Sequence, residues 1–121
     1  VALKRALRLR KSSDFQRVRQ QGRVVSSPLL VLAYVPSNTQ GIRVGFVVSK
    51  RISKLAVKRN RVKRLLSEAI RPFLPELLGN WDVVLSVKQQ GVDVNPAMLT
   101  RDVGTLLQRA RLRDAFSEQS N

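Results

Sequence analysis

The 121-residue chain has no cysteine and no histidine, only eight acidic residues, and 5% aromatic residues with a single tryptophan and a single tyrosine. Without cysteine it has no disulfide framework and no thiolate metal site, and it suits a reducing cytoplasm, the expected compartment. Without histidine it lacks the side chain that most often moves protons at neutral pH. The acids Asp14, Glu68, Glu76, Asp82, Asp93, Asp102, Asp114 and Glu118 stand singly, with no paired-carboxylate spacing. No catalytic residue and no metal-ligand set is therefore expected in the polypeptide. Glu68 and Asp102 read as surface charges paired with nearby arginines. No apolar run is long enough to span a bilayer, and no glycine-rich phosphate loop occurs. Residues 1–11 carry five cations and no apolar stretch of the kind a secretory signal needs.

What the chain does have is positive charge: 23 Lys and Arg give a net charge of +15. In one small domain, self-repulsion on that scale opposes compaction unless a polyanion is the working partner, and nucleic acid is the expected one. Between Asp14 and Glu68 there is no acid, yet Arg17, Arg19, Arg23, Arg43, Lys50, Arg51, Lys54, Lys58, Arg59, Arg61, Lys63 and Arg64 all fall there. An ordinary solvated surface mixes both signs.

Periodicity orders the chain. Residues 1–11 read as a flexible basic arm. Ser12 or Ser13 caps a short helix carrying Phe15 and Val18 and stopped by Gly22. Strands follow at Arg23 to Ser26, Leu29 to Val35 and Ile42 to Val48, with a turn over Pro36 to Gly41. A basic helix then begins near Ala56; Val62, Leu65, Leu66, Ala69, Ile70 and Phe73 form its apolar stripe, and Asn60, Arg64, Ser67 and Arg71 its opposite face. Lys58 and Arg59 share the stripe's azimuth, so they must overhang the edge of the core. Pro72 ends or bends this helix. A strand over Val83 to Val87 and a final helix opened by Asn95-Pro96, with Leu99, Val103, Leu106, Leu107 and Ala110 buried, complete one α+β domain, 1–121, frayed over 116–121.

The run Val44-Gly45-Phe46-Val47-Val48-Ser49-Lys50-Arg51, then Ala56 and Lys58-Arg59-Asn60-Arg61-Val62-Lys63-Arg64-Leu65, resembles the signature of the bacterial ribonuclease P protein component. Asp14-Phe15-x-x-Val18 before Gly22, the Trp81-Asp82-Val83-Val84 strand entry and the last helix extend the resemblance over nearly the whole chain. It implies a single-domain α-β sandwich, αβββαβα, with a left-handed βαβ crossover, similar to the second domain of ribosomal protein S5. It also implies two RNA partners, the catalytic RNA and precursor tRNA, with no obligate protein partner and no membrane. The holoenzyme removes the 5′ leader of the precursor endonucleolytically. RNA and its divalent ions, magnesium foremost, carry the chemistry, and the protein broadens the substrate range and supports the active RNA conformation.

Matched residue by residue, the resemblance assigns Ser49, Lys50, Arg51, Lys58, Arg59, Asn60, Arg61, Lys63 and Arg64 to the catalytic RNA. Phe15 falls where the family uses a ring against single-stranded leader, with core packing as its alternative role. Arg19 and Ala33 stand where many or some relatives have aromatics, so this cleft is expected to lean on charge, with Arg19 at the leader; Tyr34 points to the other sheet face. The competing reading is a structural or chaperone-like RNA-binding protein of ribosomal type. Sequence-specific DNA binding has no helix-turn-helix or zinc module to support it.

Overall fold

The computed structural model of the chain describes residues 7–93 and 95–112. Its elements are α1 (Ser12–Gln21), β1 (Arg23–Ser26), β2 (Leu30–Pro36), β3 (Ile42–Val47), α2 (Ala56–Ile70), β4 (Trp81–Val87) and α3 (Pro96–Arg109). This is the expected αβββαβα order. A 3-10 turn over Arg71–Glu76 follows α2, where Pro72 and Pro75 cannot continue the α-helical ladder.

The sheet runs β1-β2-β4-β3. β1 and β4 flank β2 antiparallel, and β3 pairs with β4 in parallel, Ile42 opposite Trp81 and Val47 opposite Ser86. Strand alternation sends side chains to two cores. Leu30, Leu32, Tyr34, Val44, Val83 and Leu85 pack with α2 and α3 on one face. Ala33, Val35 and Val84 pack with Val18 of α1 on the other. Val18 is wholly buried, a burial worth about 1.5 to 3 kcal/mol for an aliphatic side chain of this class. Tyr34 does face away from Ala33, and its ring meets that of Trp81 edge-on at 5.7 Å.

Four expectations need correction. The basic arm is packed from Leu7 onward: Leu9 is buried beside Phe15, its N–H donates to the Val44 carbonyl at 2.9 Å, and Arg8 bridges Val44 in parallel. An apolar Leu placed against a strand edge gains both burial and a backbone hydrogen bond. The rest of the arm and the frayed tail lie outside the described residues. The cap of α1 is Lys11, with no side-chain hydrogen bond, so neither serine caps it. Ser67 is buried, because α2 packs against both the sheet and α3 and its covered arc is wider than one stripe. Asp102 accepts a hydrogen bond from the Ser27 hydroxyl. That hydroxyl also accepts the Leu29 and Leu30 N–H groups at 3.2 and 3.0 Å, so the acid fastens the β1–β2 turn to α3.

Candidate nucleic-acid interface

The turn after β3 is closed by the Ile52 N–H on the Ser49 carbonyl at 3.0 Å, which leaves Ser49, Lys50 and Arg51 exposed. The chain then enters α2 through Leu55, an N-cap without side-chain capping, and no acid occupies the first turn. The partial positive charge and open N–H groups of a helix start therefore stand beside Lys58, Asn60, Arg61, Lys63 and Arg64, all five exposed. Val62 and Leu66, buried among β-strand and α3 side chains, fix the azimuth that turns those groups outward.

Arg59 is the exception. It is half-buried, and its Nη1 donates to the Ser53 carbonyl at 2.8 Å, tying the first turn of α2 to the connection before it. Only part of its fork remains for a phosphate. Lys58 and Arg61 border a cleft of about 420 Å3 floored by Val62, Leu65, Val92 and Pro96, with Asp93 also on its rim, between the starts of α2 and α3. Leu55 and Val57 are 61% and 78% exposed at this end. The sequence signal for this exposed apolar pair is partial: Val57 lies off the stripe of α2, whereas Leu55 stands just before the helix at the N-cap.

On the α1 face Phe15 is half-buried, and its ring lies flush on the backbone of Gly45. A Cβ at Gly45 would stand 2.5 Å from two of the ring carbons. Arg19, one turn along α1, is exposed. α1 covers the sheet over Ala33, Val35 and Val84, while Val31, Val47 and Ser86 on the same face remain half-exposed and Val24 is 58% exposed. The result is a shallow apolar strip edged by Phe15.

Two arginines in the cationic run are held by carboxylates. Asp82, wholly buried at the start of β4, accepts Arg43 Nε and Nη2 at 2.9 and 2.8 Å and also the Arg17 guanidinium. Asp14 lies 3.7 Å from Arg43. The hydrogen bond to Asp82 holds the Arg43 pKa above its ordinary value against the opposing effect of burial, and the charges of Asp82 and Asp14 add to it. Both oxygens of Asp82 are taken up by these arginines, and Asp14 stands within ion-pair distance of Arg43.

A family model described as Ribonuclease P matches residues 3–111. The "Ribonuclease P protein component" of Chloroflexus aurantiacus is 40% identical over 119 residues, covering 98% of this chain and 87% of that one. That of Herpetosiphon aurantiacus is 39% identical over 110 residues, 91% of this chain and 89% of the other. The solved RNase P protein of Staphylococcus aureus superposes with a TM-score of 0.80 at 25% identity, over 91% of this chain and all of that one.

Proposed function

The chain belongs to the ribonuclease P protein family, the protein subunit of a ribonucleoprotein endoribonuclease that processes tRNA 5′ ends, and on that premise we propose which of its surfaces meets which RNA. The face made by Ser49, Lys50, Arg51, Lys58, Arg59, Asn60, Arg61, Lys63 and Arg64 binds the catalytic RNA. The strip edged by Phe15 and Arg19 receives the single-stranded 5′ leader of precursor tRNA in the cytoplasm.

The observation that carries the first assignment is selective exposure. Arg17 and Arg43 are both paired with Asp82, whereas among the described residues Lys58, Arg59, Arg61, Lys63 and Arg64 are in no ion pair, although Asp93 lines the cleft beside Lys58 and Arg61. They stand beside a helix start with no acid in its first turn. Forked guanidinium donors match pairs of phosphate oxygens, and the Asn60 amide both donates and accepts. For the second assignment, a flat ring beside aliphatic side chains offers a stacking surface that tolerates any base, as leaders of varied sequence require. Arg19 adds a phosphate contact without reading sequence.

With no histidine and with its converging carboxylates engaged by arginines, the polypeptide contributes binding and orientation. Bond cleavage falls to the RNA and its divalent ions, magnesium being the expected one. Reconstitution tests this: precursor tRNA is incubated with catalytic RNA, with protein, and with both at low magnesium. Cleavage at the leader junction only when both are present is the expected result. Cleavage by rigorously nuclease-free protein alone would overturn it.

A further inference from the structure

At the opposite end of the sheet from the start of α2 lies a pocket of about 500 Å3, lined by Gln21, Arg23, Tyr34, Pro36, Trp81 and Arg111 among others. β4 runs from Trp81 here to Val87 near the α2 start, a separation of roughly 20 Å at about 3.3 Å per residue. Arg23 pairs with Tyr34 across β1 and β2 and so shares its sheet face, the one covered by α2 and α3. The pocket is therefore separate from both surfaces assigned above.

Its chemistry is distinctive. Among the described residues no acid lines it, and neither Arg23 nor Arg111 is in an ion pair or hydrogen bond through its guanidinium, unlike Arg17 and Arg43. The Tyr34 and Trp81 rings give one wall, and Pro36 adds a flat apolar surface beside them. The Trp81 ring is itself seated on Gly79, where a Cβ would come within 2.7 Å of the indole nitrogen.

Arg111 adds the second observation. It follows the end of α3 with φ 61°, the one residue other than glycine with positive φ among those described. The Leu112 N–H returns to the Leu107 carbonyl and the Arg111 N–H to the Gln108 carbonyl, both at 3.0 Å, the paired closure that usually places glycine at this position. Leu112 is wholly buried, and its carbonyl accepts the Leu78 N–H at 2.7 Å, so the backbone on both sides of Arg111 is anchored. A long cation occupies a site where glycine would be less strained, and the fold aims it at a second cation and an aromatic wall.

We propose that this pocket binds one single-stranded ribonucleotide, its base against Trp81 and Pro36 and its phosphate between Arg23 and Arg111. A stacking wall with two unpaired guanidinium forks and no carboxylate suits a nucleotide and rejects a bare acidic peptide, which would leave the rings unused. The inference rests on the chain being an RNA-binding subunit, and it adds a third RNA contact on a different face.

Trp81 is the sole tryptophan, so its fluorescence reports the pocket directly. Wild-type protein is titrated with catalytic RNA, and the assembled holoenzyme with precursor and then mature tRNA. Quenching of Trp81 emission by catalytic RNA assigns the nucleotide to that RNA, and quenching by precursor but not mature tRNA assigns it to the leader. Arg111→Gly relieves the backbone strain, so thermal stability should hold or rise while the dissociation constant for the quenching RNA rises about 3- to 10-fold and the salt slope falls by about one. Arg23→Gln should do the same on an exposed edge strand. Arg61→Ala serves as the control for the α2 face: if it weakens RNA binding while neither RNA moves Trp81 emission, the pocket proposal fails alone. Unchanged affinity and salt slope in both pocket variants would also overturn it, whatever the emission does.

Discussion

Arg43 and Asp82 form a two-point pair across the parallel strands β3 and β4, 2.9 Å from Nε to Oδ1 and 2.8 Å from Nη2 to Oδ2, with the carboxylate wholly buried. Arg17 reaches the same carboxylate from α1 and also donates to the Pro36 carbonyl at 3.3 Å. One acid thus binds a helix to two strands. Asp82→Asn removes the counter-charge of two arginines that are themselves 24% and 31% exposed. Breaking a buried pair costs about 3 to 5 kcal/mol, and partial solvation of the cations lowers the expected loss to about 2 to 3 kcal/mol. Urea unfolding measures it, and a change below about 0.5 kcal/mol would show that the pair contributes little.

The same pair predicts the response to alkali. A raised Arg43 pKa means that its stabilising contribution is complete below the unfolded value and is lost only as pH climbs through the still higher folded one. Unfolding free energy should therefore show no Arg43-dependent fall between neutral pH and pH of about 10, the range in which an unperturbed arginine also stays charged. Comparing the pH profiles of wild type and Arg43→Met checks this, and a wild-type loss in that window that the variant lacks would contradict it.

Arg59 and Arg61 should separate. Arg61 is exposed on the α2 face, so Arg61→Ala should weaken catalytic-RNA binding by about 1 to 3 kcal/mol and leave stability unchanged. Arg59 also holds the Ser53 carbonyl, so Arg59→Ala should lose affinity together with about 0.5 to 1.5 kcal/mol of stability. Filter binding and thermal unfolding of the two variants, run side by side, give both numbers.

Phe15 serves packing and, as proposed, the leader. Because its ring covers Gly45 and lies beside Leu9, Phe15→Ala would confound the two roles. Phe15→Leu keeps most of the apolar volume and removes the stacking face. The expected result is a loss of about 1 to 3 kcal/mol in holoenzyme affinity for 5′-extended tRNA, with mature tRNA unaffected. An unchanged precursor-to-mature ratio in a folded variant would confine the ring to the core.

Gly22 is required by close approach, since its φ of −77° is open to any residue. A Cβ there would stand 2.3 Å from the Val18 carbonyl oxygen and 2.8 Å from that of Tyr34. Both are backbone atoms of elements packed together, so Gly22→Ala should cost about 1 to 3 kcal/mol through forced displacement of α1 from β2. Thermal unfolding is the direct check.

Local pattern determined what repeats at helical or strand spacing. The αβββαβα order, the stripe of α2 through Val62, Leu66 and Ile70, the Asn95-Pro96 start of α3 and the basic signature over Ser49 to Arg64 all follow from neighbours in the chain. The reason is that propensity, capping and amphipathic spacing act over a few residues. Only the tertiary structure decided which cations are available. Asp82 lies 65 residues from Arg17 and 39 from Arg43, and no spacing rule reveals a pairing created by strand order. Leu9 and Ser67 were decided in the same way, by a strand edge and a second helix brought alongside. The charge count predicts a polyanion, but it is the folded arrangement that pairs Arg17 and Arg43 with Asp82 and leaves Arg61, Arg23 and Arg111 exposed and, among the described residues, in no ion pair.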